Sequence, residues 1–153
     1  MKLHKFLFIL LIIINFSSCS NNYYNSYEIK NITFKITQIN LLGFTEYFYV
    51  INNKQITIDS IINETDFKRV YTKKININEY KKIAVILPEL IKLDSVYIND
   101  SVIDGIDDEI CIYNKNKEIK KITISNSKIS IIDSLYFNIN KLIINKSLML
   151  LSL

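Results

Sequence analysis

The stretch IDDEICIYNKNKEIKKITIS, residues 106–125, decides the fold. Ile106, Ile110 and Ile112 alternate with Asp107, Glu109, Cys111 and Tyr113, the two-residue period of a strand with one face toward a core. Asn114-Lys115-Asn116-Lys117 then turns the chain into Glu118 to Ser125, so the stretch reads as a β-hairpin. Upstream, Ile32, Phe34 and Ile36 alternate with Thr33, Lys35 and Thr37, which predicts a strand within residues 28–39. Thr45 to Ile51 predicts another, followed by Asn52-Asn53-Lys54-Gln55 and Ile56-Thr57-Ile58. Asparagine tolerates left-handed backbone, so this segment also reads as a hairpin. Asn63 to Lys74 shows no clear period, and Phe67, Val70 and Tyr71 are its expected buried contributions.

Two segments carry a helical period. Asn78 is a candidate N-cap for a helix with Tyr80, Ile83, Ala84 and Leu87 on one face. Pro88 predicts a kink, or an end near Leu87 and a restart with Pro88 as a first helical residue. Asp133 or Ser134 is the candidate cap of a final helix whose Leu135, Ile139, Leu142 and Ile143 share a face. The order strands, helix, hairpin, helix predicts a single α+β domain over residues 27–153: an antiparallel sheet of hairpins with about two helices packed on one face. The closing LMLLSL, residues 148–153, is expected to be a strand or a docked tail, because exposing it would be costly.

The first twenty residues, MKLHKFLFILLIIINFSSCS, have Lys2 and Lys5 ahead of an apolar run from Phe6 to Ile14. A helix of that length rises about 14 Å, well short of the roughly 30 Å hydrocarbon core. A signal peptide over residues 1–18 fits better than an anchor helix. Small residues, Ser17 and Ser18, precede Cys19 at the end of the run, and this order resembles a bacterial lipobox cleaved by signal peptidase II. Phe16 stands where leucine is commonest, and the Phe-Ser-Ser-Cys-Ser form is similar to lipoproteins of Bacteroidota-type bacteria. The resemblance implies that Cys19 becomes the first mature residue, lipidated on its sulfur, and that the protein is anchored to a membrane of the cell envelope; Ser20 and Asn21 follow with no acidic cluster resembling a surface-export tag, so the expected orientation is toward the periplasm. Two or three acyl chains suffice, at about 0.8 kcal/mol per buried methylene. Residues 19–26 would then be lipidated cysteine and tether. A composition of 32 Ile, 18 Asn and 18 Lys agrees with an AT-rich coding sequence from such a source.

Composition narrows the function. The chain has 153 residues, 19 basic and 15 acidic, and loss of Lys2 and Lys5 with the signal lowers the net charge of +4 to +2, which leaves no nucleic-acid footprint. The single histidine, His4, lies in the signal, so histidine-dependent triads and zinc sites are excluded from the mature domain. Two glycines leave no room for a Gly-rich phosphate loop, and no cofactor is expected.

Three features remain as candidate sites. Asp104, Asp107, Asp108 and Glu109, with Asp100, surround Gly105 as a carboxylate cluster. Aligned on Gly105 as an EF-hand, it puts Val102 at the third position and Cys111 at the twelfth, so that motif fails, leaving a looser calcium site or a paired-carboxylate hydrolase as weaker readings beside a solvated turn. Cys111, the thiol left once Cys19 is lipidated, has no histidine to activate it and reads as a packed, inert residue. Tyr47, Phe48 and Tyr49 put aromatics on both faces of one strand, so that Phe48 or the tyrosine pair is offered to a protein or glycan partner. Asp59-Ser60-Ile61, Asp94-Ser95-Val96, Asp100-Ser101-Val102 and Asp133-Ser134-Leu135 also resemble the Asp-Ser/Thr-aliphatic O-glycosylation sequon of Bacteroidota envelope proteins. The reading that follows is a lipid-anchored, non-catalytic binding or structural module of the envelope. The alternative is an immunity-type lipoprotein that neutralises a periplasmic toxin.

Overall fold

The computed structural model describes residues 28–40, 45–63, 66–101 and 105–151. Its strands are β1 (Ile32–Asn40), β2 (Thr45–Ile51), β3 (Gln55–Asn63), β4 (Asp66–Lys74), β5 (Val96–Ile98), β6 (Ile106–Asn114) and β7 (Lys117–Ser125). They form one sheet in the order β4-β3-β2-β1-β6-β7-β5. Every neighbouring pair is antiparallel except β5 and β7, which run parallel.

The alternation seen in the sequence sets the register. Ile58, Tyr49, Ile36, Ile110 and Ile122 lie opposite one another across five strands, and all five are fully buried. The adjacent row contains Ile56, Ile51, Phe34 and Ile112, equally buried. Each such side chain removed from water contributes about 1.5–3 kcal/mol before conformational entropy is counted. A one-residue slip would turn both rows to the opposite face, so burial fixes the pairing.

Helices α1 (Ile77–Ala84), α2 (Leu87–Lys92) and α3 (Ser130–Asn140) supply the other half of the core. Tyr80, Ile83 and Ala84 of α1, Leu87 and Leu90 of α2, and Ile132, Leu135, Tyr136 and Ile139 of α3 are buried with the two sheet rows. The Tyr80 hydroxyl donates to the Ile32 carbonyl at 2.7 Å, joining α1 to the start of β1. Pro88 lies in the first turn of α2, so the chain ends one helix and restarts as expected.

Several details differ from the sequence reading. The cap of α1 is Asn76, two residues before Asn78: its Oδ1 accepts from the N–H groups of Asn78 and Glu79 at 2.9 and 3.0 Å, and Glu79 Oε2 accepts from the Asn76 N–H at 2.8 Å. This reciprocal arrangement satisfies three N–H groups and outcompetes a cap farther in. Helix α3 begins before Asp133 and Ser134; Ile129 precedes it without a side-chain cap, and the Ser134 hydroxyl donates to the Ser130 carbonyl within the helix. The sheet is not wholly antiparallel, because β5 adds in parallel. Phe67 and Val70 are exposed at 49% and 39%, since β4 is the outer strand of the sheet with no described helix over these two side chains; Tyr71 alone of the three packs against the core.

The C-terminal segment docks as a tail. Leu148 and Leu150 are buried, Asn140 clasps Leu150 through both backbone groups at 2.8 Å, and Tyr49 donates to the Leu148 carbonyl at 3.3 Å.

Candidate functional site

All three helices pack on one sheet face. The alternation that buries Phe34, Ile36, Tyr49, Ile56 and Ile110 sends their neighbours Lys35, Thr37, Phe48, Thr57 and Glu109 to the other. On this open face Phe48 and Phe67, from β2 and β4, meet with ring centroids 6.1 Å apart and planes tilted by 59°. Between them in sheet order lies Asp59 of β3, which pairs with Arg69 of β4 through both guanidinium and carboxylate arms, the second contact at 3.2 Å. The fork fixes both groups: Asp59 is buried while Arg69 stays exposed. The far side is more polar. Lys35 Nζ lies 4.5 Å from the centre of the Tyr113 ring, and Lys121 Nζ is 2.7 Å from Glu109 Oε2. The face therefore has an aromatic end bordered by a fixed ion pair and a polar end of mixed charge.

Of the three adjacent aromatics, Phe48 alone reaches the open face. Tyr49 is fully buried under the helices and bonded to the tail, so it cannot touch a partner. Burial lifts its hydroxyl well above the ordinary tyrosine range. Tyr47 shares that inner side, half-buried and edge-on to Tyr49 with ring centroids 6.4 Å apart.

The carboxylate cluster is divided by the same alternation. Asp108 points into the core, while Asp107 and Glu109 take the opposite side of β6. Gln38 Nε2 donates to Asp108 Oδ1 at 2.8 Å, and burial pushes the Asp108 carboxyl up to about 6, with the Gln38 bond and the Tyr136 hydroxyl opposing the rise. Glu109 is taken up by Lys121, and Asp104 lies outside the described residues. Among the described residues no three His, Cys, Asp or Glu side chains are grouped to hold a metal ion. By the alternation, Asp108 is separated from Asp107 and Glu109, which share the opposite side of β6.

Cys111 occupies the open face between Lys35 and Lys121 in register. Burial and the nearby Glu109 and Glu118 charges push its thiol up to about 11, the reverse of what a nucleophile needs. Cys19 and the tether lie outside the described residues. In the sequon-like tripeptides, Asp59 is held by Arg69 within β3 and Ser134 lies inside α3, whereas Asp94 and Ser95 are exposed on the connection to β5.

Phe67 and Arg69 were not anticipated as members of this face. Their spacing of two, in a segment without a burial pattern, was the available signal. Among the described residues no helix is long and apolar enough to cross a membrane. No protein-family model matches the chain, and no curated protein matches it.

Proposed function

We propose that this protein is a lipid-anchored, non-catalytic module of a bacterial cell envelope that holds a protein partner on its open sheet face. The observation that carries the reading is the one-sided helical cover, which leaves Phe48 and Phe67 side by side next to the fixed Asp59–Arg69 pair. Aromatic rings on a rigid strand offer contact area at low entropic cost, and a bidentate ion pair held in one geometry beside them gives orientation. The anchor rests on the lipobox-like residues ending at Cys19.

Two measurements test the reading. Labelling of cells with a palmitate analogue should mark the protein and fail to mark Cys19→Ala. Capture of the tagged protein from detergent-solubilised envelopes should yield one stoichiometric partner, reduced at least about tenfold by Phe48→Ser, a change on the solvent side of the sheet. Capture unaffected by Phe48→Ser removes this face from the account. A toxin as the partner would make the protein an immunity lipoprotein.

A further inference from the structure

The two outer strands of the sheet are built differently. β5 has three residues, too short to template another chain, while β4 has nine, seven of them exposed along an edge with no strand beyond it among the described residues. An edge of that length is a ready site for backbone pairing unless something restricts it. Here the restriction is charge and a bulge. Lys68, Arg69, Lys73 and Lys74 lie on β4, and the pairing with β3 slips at Val70, between Arg69 and Tyr71. Arg69 is engaged by Asp59, and Lys73 approaches Glu79 at 3.9 Å. Among the described residues, Lys68, Lys74 and Lys54 on the adjoining β2–β3 turn have no ion-pair partner. With four cationic residues against the single acid Asp66, β4 is net positive, so its edge favours a strand of opposite sign over a second copy of itself. Exposed apolar groups line it as well: Ile62, Val70 and Phe67, the last continuous with the open face through Phe48.

We propose that the β4 edge accepts an extended, acidic segment of the protein partner as an eighth strand of the sheet. The proposal rests on the binding-module reading and specifies the chemistry of what is bound. Backbone pairing with β4 supplies affinity independent of sequence. Lys68 and Lys74 select carboxylates on alternate sides of the added strand, and Phe67 and Val70 take its apolar side chains.

The test uses the full chain in detergent and a blocked nine-residue peptide alternating glutamate with valine and threonine. Hydrogen exchange of β4 amides should slow at least about tenfold on adding the peptide at roughly millimolar concentration, with β5 unaffected. Lys68→Glu/Lys74→Glu, both on the solvent-exposed edge, should keep the circular dichroism of the parent and weaken the peptide about tenfold. A lysine analogue of the peptide should bind no better than that. Unchanged exchange in β4, equal affinity in the charge-reversed variant, or β4 protection by self-association without peptide would each overturn the proposal. If β4 shows no protection while partner capture still depends on Phe48, the strand-addition inference fails and the binding-module reading stands. If capture is indifferent to Phe48, the open-face reading fails whatever the peptide does.

Discussion

The side-chain amide of Gln38, in the middle of the sheet, binds both backbone groups of Leu151: Nε2 donates to its carbonyl at 3.0 Å, and Oε1 accepts from its N–H at 2.8 Å. The same Nε2 also donates to Asp108, so a single buried amide joins β1, β6 and the tail. Removing it leaves buried polar groups without partners, which costs more than the hydrogen bonds themselves contribute. Gln38→Ala should lower stability in urea by about 2–4 kcal/mol and free the Leu151 amide to exchange while β6 remains protected. A tail amide that stays protected in the variant would show that Leu148 and Leu150 suffice to dock it.

Asp108 should make stability depend on pH in an unusual direction. Its carboxyl holds a proton up to about 6 in the folded protein, against an ordinary value of 3.8. Between those pH values the folded state binds the proton more tightly than the unfolded chain does. The contribution to stability is therefore full below about pH 4 and is lost as pH rises through about 6, amounting to at most about 3 kcal/mol. Asp108→Asn keeps an acceptor for Gln38 and removes the titration. Wild type should lose stability relative to this variant from pH 4 to pH 6.5, and parallel curves would refute the assignment.

Gly105 is packed against Asn126. A Cβ at position 105 would fall 1.6 Å from Asn126 Oδ1, and Asn126 itself sits at φ 53, in the left-handed region that asparagine tolerates. Gly105→Ala should therefore cost about 2–3 kcal/mol through displacement of that side chain. Asn126→Gly relieves both the collision and the backbone strain, so the double variant should recover at least about 1 kcal/mol. Strict additivity of the two changes would mean that the loop moves freely around the clash.

The thiol of Cys111 should resist alkylation. With its pKa pushed up to about 11 from an ordinary 9.0, the thiolate population near pH 8 falls about a hundredfold. Iodoacetamide should modify the native protein at least about a hundred times more slowly than the urea-unfolded chain. Comparable rates would place the thiol in a far more open setting.

The readable parts of the fold were those where burial imposes a period. β6 and β7 could be seen because Ile110 and Ile112 alternate with polar neighbours, and the Asn114–Lys117 turn separates the two runs. Lys115 adopts φ 55 there, the left-handed geometry such a turn requires. β4 could not be seen because it is an outer strand with almost no buried side: Phe67, Val70 and Lys68 meet nearly the same surroundings. The order Tyr47-Phe48-Tyr49 left the facing ambiguous, since aromatics on both sides erase the period. Only the register against Ile36 and Ile58 decides that Tyr49 goes inward. Gln38 leaves a trace in the sequence: it follows Ile32, Phe34 and Ile36 in phase, so a polar group occupies a core position. Its partners, Asp108 and Leu151, are too distant in sequence for local patterns to connect.

β1, the earliest strand of the sheet in sequence, lies at its centre. On one side it meets β2 at once, but on the other it must wait for β6, seventy residues later at the Gln38–Asp108 contact. As the chain emerges N-terminus first, β1 to β4 can assemble as a meander while the second edge of β1 and the row from Phe34 to Gln38 stay open until residues 106–114 arrive. Closing a loop of that size is slow compared with local pairing. Weakened variants should thus be lost mainly before completion, as aggregates joined along the unfinished edge of β1, and a fall in cellular yield should precede any change in the behaviour of the molecules that finish folding.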